Sequence, residues 1–85
     1  MNKYIFYLRP PMRQRGHLSL VYFSVIIAAN LTKAVRKFAM QYHSNYCGFM
    51  QLASHKSEVY YTQGDGADKA ELVYVVIEEK HETAH

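Results

Sequence analysis

The stretch LSLVYFSVIIAANLTKAVRKFAMQY, residues 18–42, contains two hydrophobic patterns in succession. Its first half, residues 18–29, is rich in β-branched and aromatic residues, which favour a β-strand. Both alternating faces of this half are apolar, as expected for a central strand covered on both sides. Its second half repeats apolar residues at helical spacing from Leu31 to Tyr42. Asn30 or Thr32 is placed to cap this helix at its N-terminus.

Two other interpretations of the same stretch have to be compared with this one. A single helix over residues 18–43 is the first, because periodicity alone does not separate a short buried strand from a helix. A membrane span is the second, and the length of the apolar run excludes it. That run covers residues 18–29 and is soon followed by Lys33, whereas a spanning helix needs about 20 apolar residues. No membrane partner is therefore predicted.

The rest of the chain is predicted to form strands. Runs of apolar, aromatic and β-branched residues predict four more strands, at residues 3–8, 46–53, 57–62 and 70–79. The last two flank a turn-rich segment, residues 63–69, and should form a hairpin. The expected fold is an α+β domain in the order β-β-α-β-β-β over residues 1–80, followed by a frayed tail at 81–85. One amphipathic helix would pack on a four- to five-stranded, mostly antiparallel sheet.

One helix can cover only one face of such a sheet. We expect the other face to expose some of the aromatic residues Tyr4, Phe6, Tyr22, Tyr60 and Tyr74 and their neighbours. Exposed aromatic patches of this kind usually mark an interaction surface, so a partner protein or a second copy of the chain should cover it. The alternative is that the tyrosine hydroxyls make this face polar enough to remain in water.

The charges are divided unequally along the chain. Residues 1–57 carry a formal charge of +8 and no acid, whereas residues 58–85 carry −5. This asymmetry indicates a charged partner, unless the two halves pair with each other in the fold. An acidic hairpin contributes Glu58, Asp65, Asp68 and Glu71. The residues predicted to bind a partner are Tyr4, Arg9, Arg13, Arg15, Lys33, Arg36, Lys37, Tyr60, Asp65, Asp68 and Tyr74.

The chain ends in HETAH, residues 81–85, which matches the zinc-protease pattern H-E-x-x-H. A zinc protease needs a buried helix, a third ligand and a substrate cleft around that pattern, and we expect none of these at this position. Cys47, the single cysteine, is predicted to be buried and structural, and it favours a reducing, cytoplasmic setting. The sequence therefore predicts no catalytic residue, no metal site, no cofactor and no enzymatic activity.

Residues 25–54 resemble a unit found in small phage-encoded inhibitors of host machinery. In this unit a strand ends in a small residue, a leucine opens an alanine-containing helix, and an aromatic residue closes it. The podovirus inhibitor of host RNA polymerase and several β-α-β-β anti-CRISPR proteins look similar. The matching positions are Ala28, Leu31, Ala34, Ala39, Gln41 and Tyr42.

The resemblance implies a function without an active site. It implies stoichiometric binding to a host protein or nucleoprotein complex, such as a CRISPR effector, in the bacterial cytoplasm. Lys33 lies in the first helical turn, where those inhibitors often carry carboxylates, so the resemblance does not extend to DNA mimicry. The alternative drawn from the residues is a small basic DNA- or RNA-binding module, although no RNA-recognition signature is present.

Overall fold

A computed structural model describes residues 1–9 and 20–80 of the chain. The described residues form five strands and one α-helix, in the predicted order. These elements are β1 (Asn2–Leu8), β2 (Val21–Ala28), α1 (Leu31–Gln41), β3 (Asn45–Ala53), β4 (Lys56–Gln63) and β5 (Ala70–Lys80), with a 3₁₀ turn at Gly66–Asp68. The α+β class is confirmed, and a single helix over residues 18–43 is excluded. The predicted tail at 81–85 lies outside the described residues.

The five strands form one antiparallel sheet in the order β2-β1-β5-β4-β3. The predicted hairpin is confirmed, because β4 pairs with β5 from Lys56 opposite Ile77 to Gln63 opposite Ala70. The helix connects the two edge strands and packs on one face of the sheet. The sheet therefore has one face covered by α1 and a second face that no helix covers in the described part of the chain.

The prediction that β2 is a central strand is wrong, because the structure places β2 at an edge. A β-bulge accounts for its misleading apolar pattern. Phe6 pairs with Ser24 and Tyr7 with Tyr22, which leaves Phe23 as the extra residue. The Phe23 ring then packs among the aromatic rings under the helix, with its centroid 5.7 Å from that of Phe38. Two successive residues therefore contribute to the covered face, and strict alternation is lost.

Aromatic rings dominate the core between α1 and the sheet, with Phe38 of the helix at their centre. The Phe38 ring stacks on Phe6 at a centroid distance of 4.3 Å and meets Tyr74 at 4.8 Å and Tyr61 at 5.0 Å. Such pairs stabilise a core beyond the area they bury. The Tyr61 hydroxyl donates to the carbonyl of Val35 at 3.0 Å, which ties the sheet to the helix backbone.

The prediction that Tyr4 and Tyr74 lie on the uncovered face is wrong. Their exposed fractions are 1% and 3%, and both belong to the core beneath α1. Because successive strand residues face opposite sides, Tyr4 shares its face with Phe6, which the helix covers. The Tyr4 hydroxyl is still satisfied there, since it accepts a hydrogen bond from the Asn2 amide at 3.3 Å.

Both ends of α1 are closed by local hydrogen bonds. Asn30, not Thr32, is the N-cap, and its side-chain oxygen accepts from the backbone N–H of Lys33 at 2.9 Å. At the other end the Ser44 N–H donates to the carbonyl of Ala39 at 2.9 Å. This closure requires a left-handed residue, and His43 takes that position with φ 50°. A histidine is strained there because of its Cβ.

Replacing His43 by glycine should therefore stabilise the protein. Glycine adopts the left-handed conformation without a Cβ penalty, so we expect the free energy of unfolding to rise by about 1 kcal/mol. Urea denaturation measures this change. His43→Ala is the matched control, because it removes the imidazole and keeps the Cβ. An equal gain in both variants would show that the imidazole, not the backbone, is responsible.

Tyrosine burial predicts a loss of stability in alkaline solution. Burial raises the pKa of Tyr61 and of Tyr74 above the ordinary value of 10. Above pH 10 the unfolded chain releases these protons while the folded protein retains them, so unfolding becomes more favourable as pH rises. Each retained proton lowers the free energy of unfolding by up to about 1.4 kcal/mol per pH unit.

The contribution of Tyr61 can be isolated by substitution. Tyr61→Phe should be less stable at pH 8, because it loses the hydrogen bond to Val35, but its stability should fall less steeply above pH 10. Urea denaturation between pH 8 and pH 11 gives both slopes. Tyr22→Phe, at an exposed tyrosine, should keep the wild-type slope. Parallel curves for wild type and Tyr61→Phe would contradict the prediction.

Candidate functional site

The second face of the sheet is largely apolar. Strand alternation places Ile5 and Tyr7 of β1 on the side opposite Tyr4 and Phe6. The strand register continues this surface across the sheet, since Ile5 lies between Val25 and Ile77. Further apolar positions in the same face are Val73 and Val75 of β5 and the exposed Tyr22 of β2. The apolar part of the face thus spans three strands, β2, β1 and β5, whereas β4 contributes Lys56, Glu58, Tyr60 and Thr62 to the same face.

A polar cluster of Arg9, Glu58 and Tyr60 lies on the same face, beside the apolar residues of β5. Glu58 is only 8% exposed and sits beside Val75 of the neighbouring strand. The Arg9 guanidinium donates to one oxygen of its carboxylate. The Tyr60 hydroxyl donates to the other oxygen at 2.5 Å. A buried carboxylate needs such partners, so the cluster holds Arg9 and Tyr60 in fixed positions on the face.

The hydrogen bond also changes the acidity of Tyr60. Chiefly because its hydroxyl donates to Glu58, and further because of partial burial and the negative charge of Glu58, the pKa of Tyr60 is raised above 10. The hydroxyl therefore stays protonated at neutral pH and remains a donor. Tyr60 is held as a neutral, oriented side chain, which suits a contact residue and not a general base.

The predicted partner-binding residues lie in three separate regions. Arg9 and Tyr60 are on the second face, as described above. The helix cations Lys33, Arg36 and Lys37 are exposed on α1, on the opposite side of the sheet. Asp65 and Asp68 lie in the connection between β4 and β5 and are exposed. Arg13 and Arg15 are outside the described residues. The structure therefore does not combine these residues into one site.

Only some of the basic residues in 1–57 form ion pairs with acidic residues in 58–85 within the described part of the chain. Arg9 with Glu58 and Lys3 with Glu79 are the ion pairs found within residues 1–9 and 20–80. Glu58 lies in the β4–β5 hairpin as predicted, but it is not available to contact a partner, because it is buried and paired with Arg9. Lys37 donates to the backbone carbonyl of Ile27 at 2.9 Å. Lys33 and Arg36 contact no carboxylate in the described part of the chain.

The edge strand β3 carries a hydrophobic surface that the sequence did not predict as a site. Its exposed side chains are Tyr46, Phe49, Met50 and Leu52. A groove of about 170 Å³ runs between this strand and α1, lined in part by Leu31, Val35 and Phe49. The signal was present in the sequence NYCGFMQLA, because it has no charged residue and is apolar on both alternating faces.

The prediction that Cys47 is buried is wrong. The side chain is exposed on β3, with its sulfur 3.6 Å from the carbonyl of Asn45 and 3.8 Å from the Thr62 hydroxyl. Neither neighbour is a base that could generate a thiolate. Among the residues that the structure describes, no group of three histidine, cysteine or carboxylate side chains could hold a metal ion. The HETAH motif lies outside those residues.

Comparison with known proteins found no matching protein-family model, no matching curated protein and no matching solved structure. No helix in the described part of the chain is long and apolar enough to cross a membrane. The exposed surfaces of the protein are therefore the evidence about its function. The most distinctive surface is the second face, where a fixed polar cluster lies beside apolar side chains.

The Arg9–Glu58 pair should matter for folding as well as for the face. Arg9→Met leaves a largely buried carboxylate without its cation, and we expect a loss of about 1–3 kcal/mol in the free energy of unfolding. The double variant Arg9→Met/Glu58→Met should recover most of this loss, because no charge is then left unpaired. Urea denaturation of each variant measures the effect.

The exposed pair of Lys3 and Glu79 provides the control. Its two charged atoms are 4.0 Å apart and both side chains are about half exposed. Lys3→Met should therefore change stability by less than about 0.5 kcal/mol. Equal losses in Arg9→Met and Lys3→Met would show that burial of Glu58 does not strengthen its pairing with Arg9.

Proposed function

We propose that this chain is a small inhibitor that binds stoichiometrically to a host protein or nucleoprotein complex and blocks it sterically. It would act in the cytoplasm of a bacterial host, as a product of a phage or mobile element. The observation that carries the proposal is the second face of the sheet, which is apolar across β2, β1 and β5 and has no helix over it in the described part of the chain.

The chemistry of this face suits protein recognition. Apolar residues such as Ile5 and Ile77 supply area whose burial against a partner is favourable. Tyrosine and arginine are the residues most often found at the energetic centres of interfaces. Here Glu58 holds Tyr60 and Arg9 beside the apolar residues of β5, so little side-chain freedom is left to lose on binding. Blocking a target by occupancy requires no catalytic group.

A nucleic-acid-binding module is the second candidate, and the helix supports it. Lys33 and Arg36 are exposed on α1 and contact no carboxylate among residues 1–9 and 20–80. Unpaired cations on one helix face can neutralise phosphates. The two candidates use opposite sides of the molecule, so substitutions on each side separate them.

The test compares two variants that each introduce a glutamate at an exposed position, one on each side of the molecule. Tyr22→Glu adds a charge to the second face at an exposed position, and Arg36→Glu reverses a charge on the helix face. A tagged wild-type chain is used to isolate its target from bacterial lysate, and the purified target is then titrated with each variant. We expect inhibition to saturate at one chain per target site, to weaken at least tenfold for Tyr22→Glu, and to remain unchanged for Arg36→Glu.

The opposite pattern would replace the proposal with the nucleic-acid alternative. That alternative requires wild-type protein to bind a labelled oligonucleotide, with affinity falling steeply between about 50 and 200 mM salt. Arg36→Glu would then weaken binding and Tyr22→Glu would not. Fluorescence anisotropy with single- and double-stranded oligonucleotides measures this. Inhibition that continues at far below one chain per target would also contradict steric blocking.

A further inference from the structure

The two edges of the sheet differ in how they are protected against pairing with another strand. At the β2 edge, the Lys37 ammonium donates to the Ile27 carbonyl, which places a charge on that edge. Lysines and bulges at an edge are common devices against strand pairing. The β3 edge, Asn45–Ala53, contains no charged residue. Its only irregularities are two bulges, which leave Gly48–Gln51 as a regular stretch between them.

An exposed, uncharged edge strand is a template for another strand, because its outward N–H and C=O groups have no partner in the sheet. We propose that β3 pairs with β3 of a second copy of this chain, antiparallel and about a twofold axis through Phe49. Phe49 would then lie opposite the partner's Phe49, and Gly48 opposite the partner's Met50. The result is a continuous ten-stranded sheet with both helices on the same side.

The shape of β3 supports this register. A Cβ placed on Gly48 would meet no atom within 4 Å, so there is open space above this residue. Gly48 and Met50 lie two positions apart, on one side of the strand, and pair with Tyr60 and Glu58 of β4. In the proposed pairing, the Met50 side chain of one copy fills the space over Gly48 of the other. This complementarity occurs twice, once on each side of the axis.

The exposed area is adequate for a dimer. Four large side chains of β3, each about half exposed, offer about 400 Å² per copy if a large side chain presents about 200 Å². The strand backbone, Cys47 and Gln51 add to this area. A specific interface buries at least about 500 Å² on each partner. The strand can therefore supply a small but sufficient interface, in which Met50 lies on the second face and Phe49 on the helix-covered face.

Solution mass tests the dimer directly. Sedimentation velocity on the wild-type chain should give twice the monomer mass at micromolar concentrations. Phe49→Lys places two lysines opposite each other on the axis and should give the monomer mass. Met40→Lys, at an exposed helix position outside the interface, should remain dimeric. Circular dichroism confirms that each variant is folded, and Met50→Lys replaces Phe49→Lys if the latter is not.

Disulfide crosslinking tests the register. The proposed axis places residue 49, in the regular stretch between the two bulges, opposite residue 49 of the partner, within the distance that a disulfide spans. Phe49→Cys/Cys47→Ser should therefore form an oxidised dimer with one bridge, whereas the wild-type chain and Gln51→Cys/Cys47→Ser should not crosslink. A monomeric wild-type chain would overturn the dimer, and a bridge between two native Cys47 residues would overturn the register. The function test uses Tyr22 on β2, at the opposite edge of the sheet from β3, so the two proposals are tested separately.

Discussion

The whole architecture depends on the insertion of one helix side chain, Phe38, into a ring of sheet aromatics. Phe6, Tyr61 and Tyr74 come from β1, β4 and β5, so this contact joins the helix to the first strand and to the distant β4–β5 hairpin. A domain of 85 residues has little hydrophobic core to spare, and large aromatic side chains bury the most area per residue. Concentrating the aromatics beneath α1 leaves the second face to be built mainly from smaller aliphatic side chains around a polar cluster.

Much of the fold could be predicted from residue patterns. The helix was readable because Leu31, Phe38 and Tyr42 recur at helical spacing after the cap at Asn30, and both signals are local. Strand order was not readable, because it depends on pairings between distant residues. The sequence of β2 was typical of a central strand because the bulge at Phe23 places an extra apolar residue in what is an edge strand.

The candidate site was predictable only in part, and the reason is again physical. Arg9 and Tyr60 were named as contact residues, yet nothing in the sequence indicates that both bind Glu58, which is far from Arg9 along the chain. Tyr4 and Tyr74 were misplaced because a tyrosine can serve a core or a surface equally well when its hydroxyl finds a partner. The β3 surface was missed because its defining property, the absence of a paired neighbour, belongs to the assembled sheet.

The strand order also bears on how the protein is made. β1 and β5, the first and last of the described strands, are neighbours at the centre of the sheet, with Leu8 opposite Tyr74 and Asn2 opposite Lys80. A ribosome synthesises the chain from its N-terminus, so β1 has no central neighbour until β5, residues 70–80, has been translated. Until then the hairpin of β1 and β2 shows both its aromatic side and an open edge. The sheet therefore cannot be completed before β5 has emerged from the ribosome, and the nascent chain before that point is the state most exposed to aggregation and proteolysis.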